Sequence, residues 1–331
     1  MDPLTHTATG VFLSRAGLKN WTPQATAILM LAANAPDIDI VTAGGGSLNY
    51  LHYHRHLTHA LVSMPVMAIL PVLLVRAVSR KPVRWLGAFL AALVAVASHL
   101  LLDFTNVYGI RLFLPFSSGW QRLDLTGVVD LWIWLALLLG FAVPALSRMV
   151  GSEITSGGAR RPHHGRASAI CALAFLLFYN GGRAVLHSRA VASLESWTYQ
   201  GEIPLRVLAV PGLNPLHWRG VVETAGFYQS SEIDLAGTFN PARGAVFYKP
   251  APDPAIQAAR QTPAFQIFQA FDQFPLWTVT PTNDPENRKR VDLFDLRFGT
   301  PSQPGFMTSA IVDSRQRVLS TSFQFGPQPP R

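Results

Sequence analysis

The chain has 331 residues, of which 49% are hydrophobic and only 14% are charged, and its formal net charge is +8. This charged fraction lies well below the roughly 25% that is typical of soluble domains, which argues against a wholly soluble protein. The single cysteine, Cys171, excludes an intrachain disulfide and a cysteine-based zinc site. The positive charge would suit nucleic acid or an anionic membrane, and long apolar runs without a nucleic-acid-binding motif favour the membrane.

Apolar segments fill the first part of the chain. Two weaker segments come first, at residues 5–18 and 22–41, and four stronger ones follow at residues 60–78, 83–103, 128–146 and 167–185. Each strong segment approaches the ~20 residues that a helix needs to cross a bilayer. Residues 1–188 are therefore predicted to form an α-helical membrane bundle of about four to six transmembrane helices. Whether the first two segments cross the bilayer or form a shorter re-entrant hairpin stays open.

The character of the chain changes near residue 189. Short β-rich pieces separated by proline, glycine and asparagine replace the long apolar runs, at residues 218–224, 265–271, 276–280, 291–298, 308–313 and 318–325. Such a pattern predicts a soluble, mostly antiparallel β domain over residues 189–325. Residues 326–331 are rich in proline and are predicted to be a disordered tail.

Basic residues orient the predicted helices. They fill two connections, the first with Arg76, Arg80, Lys81 and Arg84 and the second with Arg148, Arg160, Arg161 and Arg166. If these loops are cytoplasmic, the six segments alternate consistently across the membrane. The β domain and the opposite ends of the helices then lie on the extracytoplasmic side.

Histidine and aspartate residues collect at those opposite ends. Ionisable groups at membrane depth are costly, so they usually mark function, and this pair of residue types suits zinc and similar divalent metals. His99 and Asp103 are four residues apart and share a helix face. Asp37 and Asp39 follow Pro36, where they could bridge two metals or place one carboxylate on a metal and the other on a ligand.

Some familiar catalytic patterns are missing. The chain has no His-Glu-x-x-His sequence, no Walker-type loop, and no clear serine or cysteine nucleophile motif. His54 and His59 do not share a helix face, so they could meet only if residues 50–55 form a loop leading into the third helix.

One set of motifs resembles the YdjM-like family of inner-membrane-associated proteins, described as metal-dependent hydrolases. In chain order the motifs are Thr5-His6, Pro36-Asp37-Ile38-Asp39, His54-Arg55 with Thr58-His59, Ser98-His99 through Leu102-Asp103, Tyr108-Gly109, Pro115-Phe116-Ser117 and Asp130. The resemblance covers residues 1 to about 185, and residues 214–218 and 295–298 extend it to a longer subgroup with an appended domain. It implies a multi-pass protein of the bacterial inner (cytoplasmic) membrane. His56 departs from the pattern, because a small residue is expected there; it is a supplementary ligand or a neutral change.

The leading hypothesis is a membrane-bound, metal-dependent hydrolase that activates a water to cleave a phosphoester or a lipid-type substrate. Zinc is the favoured metal, with one to three ions, and the predicted ligands are His6, Asp37, Asp39, His54, His59, His99 and Asp103. Asp39 or Asp103 would act as the base, and Arg55 would neutralise charge on the substrate. Arg55 could equally balance the carboxylates. His56 and Asp130 are predicted to support the ligands, although Asp130 could equally cap a helix.

Two other classes of function remain open. The same residues could carry a divalent ion or a proton across the membrane, or could hold a structural metal in a non-catalytic membrane protein that binds a partner. The lipid bilayer is the one partner that composition predicts.

Overall fold

The computed structural model describes residues 1–154, 164–282 and 287–326. The predicted tail thus falls outside the described residues, except for Gly326. The chain forms two compact units, the first made of Met1–Asp39 with Arg55–Val185 and the second of Ile40–His54 with the residues from Leu186 onward. The α-helices, in chain order, are Pro3–Ala16 (α1), Ala25–Ala32 (α2), Ser47–Tyr53 (α3), Met64–Ser79 (α4), Trp85–Thr105 (α5), Leu131–Ile154 (α6), His164–Glu195 (α7), Pro254–Arg260 (α8) and Pro263–Phe271 (α9).

Four helical stretches in the described residues are long and apolar enough to cross a membrane. They are Leu61–Ser79, Trp85–Thr105, Leu131–Met149 and Gly165–Glu195, and they confirm the four strong segments. The second weak segment is a bent pair, in which α2 and the 3-10 helix Ala35–Gly45 meet at 47°. The 14 residues of α1 would extend only about 21 Å, which is short of the ~30 Å hydrocarbon core.

Small residues let α5 pack closely inside the first unit. Ala88, Ala92 and Ala95 are fully buried in a core shared with α2 and α4, and small side chains are what close helix packing in a membrane requires. The same inward face continues through His99 to Asp103, since the spacing of three and four residues keeps all five positions on one side of the helix. The packing of α5 therefore carries two of the predicted ligands into the interior.

The first two helices also approach each other closely. A side chain at Gly10 of α1 would place its Cβ 2.7 Å from the backbone oxygen of Leu29 in α2. This close approach fixes α1, which carries His6, against the helix that leads into the aspartate pair.

Within its described residues, the second unit contains two four-stranded antiparallel sheets, in agreement with the predicted antiparallel β domain. Each sheet is a meander with its strands in chain order, β1-β2-β3-β4 and β5-β6-β7-β8. The strands are Arg206–Pro211 (β1), His217–Glu223 (β2), Phe227–Asp234 (β3), Ala245–Tyr248 (β4), Pro275–Pro281 (β5), Lys289–Asp295 (β6), Phe306–Val312 (β7) and Val318–Phe325 (β8). The fold class is therefore confirmed as a bundle of apolar helices followed by a mostly antiparallel β region.

One predicted strand is wrong. Residues 265–271 belong to the helix α9, in which Phe265, Phe268 and Phe271 are buried on one face. Their spacing of three residues is helical, and Pro263 at the first turn favours a helix start, but the aromatic content imitates a strand. The helix α8 and the strands β1, β3 and β4 were not predicted. The centre of β3 is polar, so its sequence lacks the apolar pattern that indicates a strand.

Candidate metal centre

Four predicted ligands converge inside the first unit. Asp37 comes from the 3-10 helix after α2, His59 from the 3-10 helix Leu57–His59 before α4, and His99 and Asp103 from α5. One side-chain ligand atom from each lies within 4.8 Å of all the others. The side chains of His59, His99 and Asp103 are completely buried, whereas that of Asp37 is 20% exposed. The group is therefore accessible from one side, at Asp37.

The spacing of these atoms fits a metal ion. His59 Nε2 lies 3.2 Å from His99 Nε2, 3.4 Å from Asp37 Oδ1 and 3.5 Å from Asp103 Oδ2. His99 Nε2 lies 3.6 Å from that Asp37 oxygen and 3.5 Å from that Asp103 oxygen. Ligand bonds of ~2.1 Å to a tetrahedral ion place neighbouring ligand atoms about 3.4 Å apart. Two fully buried imidazoles, one fully buried carboxylate and one partly exposed carboxylate are a donor set that would hold a divalent cation.

A backbone carbonyl orients His99. The Nδ1 atom of His99 lies 2.7 Å from the oxygen of Ala33, at the end of α2. Because a carbonyl only accepts, Nδ1 must carry the hydrogen, and the lone pair of Nε2 is left facing the other three ligands. This is the arrangement that commonly fixes metal-binding histidines.

Asp39 contacts the opposite edge of His59. Its Oδ2 atom accepts hydrogen bonds from the backbone N–H of Arg55 at 2.8 Å and the hydroxyl of Thr58 at 3.1 Å, and it lies 3.4 Å from Nδ1 of His59. A carboxylate behind a histidine ring fixes the orientation of the ring. These contacts suit a residue that positions His59, while direct metal binding by Asp39 stays a prediction from the sequence.

Replacing Asp39 by asparagine tests this positioning role. We expect Asp39→Asn to weaken zinc binding by roughly 10- to 100-fold without preventing folding, since the loss of a carboxylate behind a ligand histidine typically has this effect. Zinc affinity by competition with a chelating dye would measure it. The matched control is Asp234→Asn, because Asp234 lies 3.4 Å from His217 in an exposed pair of the second unit. Complete loss of zinc would instead make Asp39 a direct ligand.

Arg55 is buried and held by several groups. Its Nη2 lies 3.2 Å from Asp103 Oδ1, and its Nη1 donates to Asn106 Oδ1 and to the oxygen of Gly109, both at 3.1 Å. The guanidinium also lies over the ring of Tyr108, 4.7 Å from its centre. These contacts are those of a cation that balances the carboxylates, which was the alternative interpretation of the sequence, and a phosphate-binding role stays a prediction.

Two supporting residues were missed by the sequence reasoning. Asn106 is fully buried and accepts hydrogen bonds from Arg55 and from the backbone N–H of Tyr108 and Gly109. Thr58 contacts both Asp39 and His59 Nδ1. The only available signal for Asn106 was its position three residues after Asp103, at the end of an apolar segment.

His6 lies beside the four converging ligands. Its ring stacks on that of His99 with 3.8 Å between centres, and its Nε2 is 3.4 Å from Asp103 Oδ1, which the amino group of Met1 also contacts. Burial lowers the pKa of His6 well below its ordinary value, which favours the neutral form of the ring that a metal ligand needs. Its role as a ligand stays a prediction.

The remaining predicted residues have the following local contacts. His54 ends α3 in the second unit and stacks on Tyr50 with 4.4 Å between ring centres. His56 precedes the 3-10 helix, where its carbonyl accepts from the N–H of His59. Asp130 caps α6, because its Oδ1 accepts from the N–H groups of Trp132 and Ile133 at 3.0 and 3.2 Å. The capping alternative thus describes Asp130, and the ligand and supporting roles of His54 and His56 stay predictions.

The fold and the site define a membrane-embedded helical protein with a buried group of aspartate and histidine residues that could bind a metal, followed by a β-rich region. The chain belongs to the YdjM inner membrane protein family, whose profile matches residues 1–190. It is also similar to the "Uncharacterized protein YfhP" of Bacillus subtilis (strain 168), with 25% identity over 310 residues, or 88% of this chain and 86% of that protein. No solved structure matches the chain significantly.

Proposed function

We propose that this protein is a membrane-bound, metal-dependent hydrolase of a lipid-type phosphoester. The observation that carries the proposal is the convergence of four ligand atoms at spacings of 3.2 to 3.6 Å, with Asp37 as the one partly exposed member. A purely structural zinc site is closed by protein, whereas a catalytic site keeps one position open. The exposed side of Asp37 supports an open position.

His59, His99 and Asp103 would hold the ion, because they are the three fully enclosed members. Two histidines and one carboxylate are a ligand set that catalytic zinc sites use. A bound divalent ion would supply a Lewis acid and lower the pKa of a coordinated water to about 7. Zinc suits the mixture of nitrogen and oxygen donors better than magnesium or calcium does.

The other side chains have separate tasks in this proposal. Asp37, on the exposed side, would accept the proton of the attacking water, and we prefer it as base to Asp39 and Asp103. Asp39 is engaged by Arg55 and Thr58, and Asp103 faces the two histidines. Arg55 would hold Asp103 in place and keep its charge compensated inside the bundle.

The position of the site along the helices supports a lipid substrate. His59 stands two residues before the membrane-crossing stretch Leu61–Ser79, and Asp103 lies in the last turn of Trp85–Thr105. Side chains at these positions lie near the membrane surface, at the depth of lipid headgroups. The basic connection between α4 and α5 lies at the other ends of these helices, which favours a site and a β region on the extracytoplasmic side of the inner membrane.

Metal-dependent turnover would test the proposal. The chain is purified in detergent, stripped with a chelator and reloaded with zinc, manganese or magnesium, and assayed on phospholipids and on bis(p-nitrophenyl) phosphate. We expect about one zinc per chain and activity that disappears on stripping and returns on reloading. A folded, zinc-loaded protein that cleaves none of these esters would contradict hydrolysis and favour a structural metal.

A further inference from the structure

The segment between α5 and α6 is fixed at the end of the bundle that carries the candidate site. The N–H of Leu61, the first residue of one membrane-crossing stretch, donates to the oxygen of Leu112 at 3.0 Å. The oxygen of Gly109 accepts from Arg55. Ile110 pairs with Gln121, which closes the segment on itself. Residues 106–122 therefore sit where membrane-crossing stretches begin and end.

Two large aromatic side chains point away from this segment. Phe116 is 88% exposed and Phe113 is 50% exposed, although Leu114 between them is buried. The turn is closed by hydrogen bonds from the N–H groups of Phe116 and Ser117 to the oxygen of Phe113, at 2.9 and 3.0 Å. The backbone of the turn therefore holds both phenylalanine rings at the surface. Contact of these rings with water is unfavourable.

Basic and aromatic groups stand directly beside the turn. The guanidinium of Arg111 lies over the ring of Trp120, 4.7 Å from its centre. Tryptophan and arginine with this amphipathic character are typical of the layer of lipid headgroups, where apolar side chains reach toward the acyl chains. The turn lies at the ends of the membrane-crossing stretches, and its neighbours are residue types that are common in the headgroup layer. Both observations indicate that a lipid surface covers the two phenylalanines.

We propose that the turn 113–116 inserts Phe113 and Phe116 into the bilayer interface and thereby brings lipid headgroups to the exposed side of the metal centre. Insertion itself depends only on the position and exposure of the turn. The delivery of substrate rests on the proposed hydrolase function. One backbone segment connects the turn to the candidate site, because the oxygen of Gly109 accepts from Arg55 and Phe113 follows Gly109 by four residues.

Insertion can be measured without any enzymatic activity. In a Cys171→Ser background, Phe116→Cys is labelled with an environment-sensitive fluorophore and the protein is reconstituted in vesicles of phosphatidylcholine and phosphatidylglycerol at 3:1. We expect blue-shifted emission that nitroxide-labelled lipids quench at least about twofold more than for a label at Ser314→Cys, in an exposed turn of the second unit. Equal emission and quenching at the two positions would overturn the proposal, as would quenching that appears only at high protein density, which would indicate self-association.

Delivery is measured by comparing two substrates. For the double variant Phe113→Ser/Phe116→Ser, we expect the ratio of phospholipid turnover to bis(p-nitrophenyl) phosphate turnover to fall about tenfold or more, with zinc content unchanged. An unchanged ratio would overturn delivery by this turn. A wild type that cleaves neither substrate would instead contradict the hydrolase proposal, while the quenching result would still decide whether the turn inserts.

Discussion

Alanine at His59 or His99 is expected to remove the metal from the purified protein. Structural zinc sites with four ligands have binding free energies of about 10–16 kcal/mol, or about 3 kcal/mol per ligand, and we expect a similar contribution from each histidine that would hold the ion here. Loss of one histidine should therefore weaken zinc binding by about two to three orders of magnitude. Elemental analysis after gel filtration would measure the stoichiometry, and dye competition would measure the affinity. If the ion is catalytic, activity on any phosphoester should fall in parallel.

A suitable control for these variants is His217→Ala. His217 is paired with Asp234, as the ligand histidines are paired with carboxylates, but its side chain is 54% exposed and belongs to the second unit. This variant should keep its full zinc content. Thermal unfolding of the metal-free forms separates binding from folding: metal-free His99→Ala should still unfold cooperatively, but below metal-free wild type, because the buried ring and its hydrogen bond to Ala33 are lost. Stoichiometric zinc in both ligand variants would contradict the assigned site.

Alanine at Arg55 is expected to destabilise the first unit strongly. Arg55 is 2% exposed and lies 3.2 Å from the fully buried carboxylate of Asp103, so its removal leaves a buried charge without this partner. Breaking a buried ion pair in this way usually costs about 3–5 kcal/mol in the free energy of unfolding. Denaturant unfolding in mixed micelles would measure the change. Zinc should reduce the loss, because the cation would compensate part of the charge on Asp103.

Two further variants test whether the loss of stability comes from the buried ion pair. Arg206→Ala breaks an ion pair with Glu223 in which the arginine side chain is 51% exposed, and such a pair contributes only about 0–1 kcal/mol. Arg55→Lys keeps the charge but loses the planar donor geometry that reaches Asp103, Asn106 and Gly109 together, so we expect partial rescue. A variant Arg55→Ala that is as stable as wild type but has a raised KM for phosphoesters would show that Arg55 binds substrate instead.

The sequence predicted the membrane-crossing part of the fold well because that information is local. About 20 consecutive apolar residues suffice to define each strong segment, and the four segments coincide with the four stretches that could cross a membrane. The helix α9 was taken for a strand because phenylalanine as a residue type favours strands, although the spacing of three residues favours a helix, and only packing against neighbouring residues decides between them.

For the candidate ligands, too, the sequence predicted what depends on local pattern, and only the tertiary structure showed what depends on contacts between distant segments. The sequence itself determined that histidines and aspartates at the ends of apolar segments need partners, because an isolated buried charge is too costly, and the spacing of His99 and Asp103 already placed them on one helix face. Only the tertiary structure shows which groups each carboxylate of the pair after Pro36 contacts. Asp37 meets the two histidines, whereas Asp39 is turned toward Arg55 and Thr58, which come from 16 and 19 residues further along the chain. Sequence periodicity cannot predict such contacts, because they join residues of different segments that meet only in the folded chain.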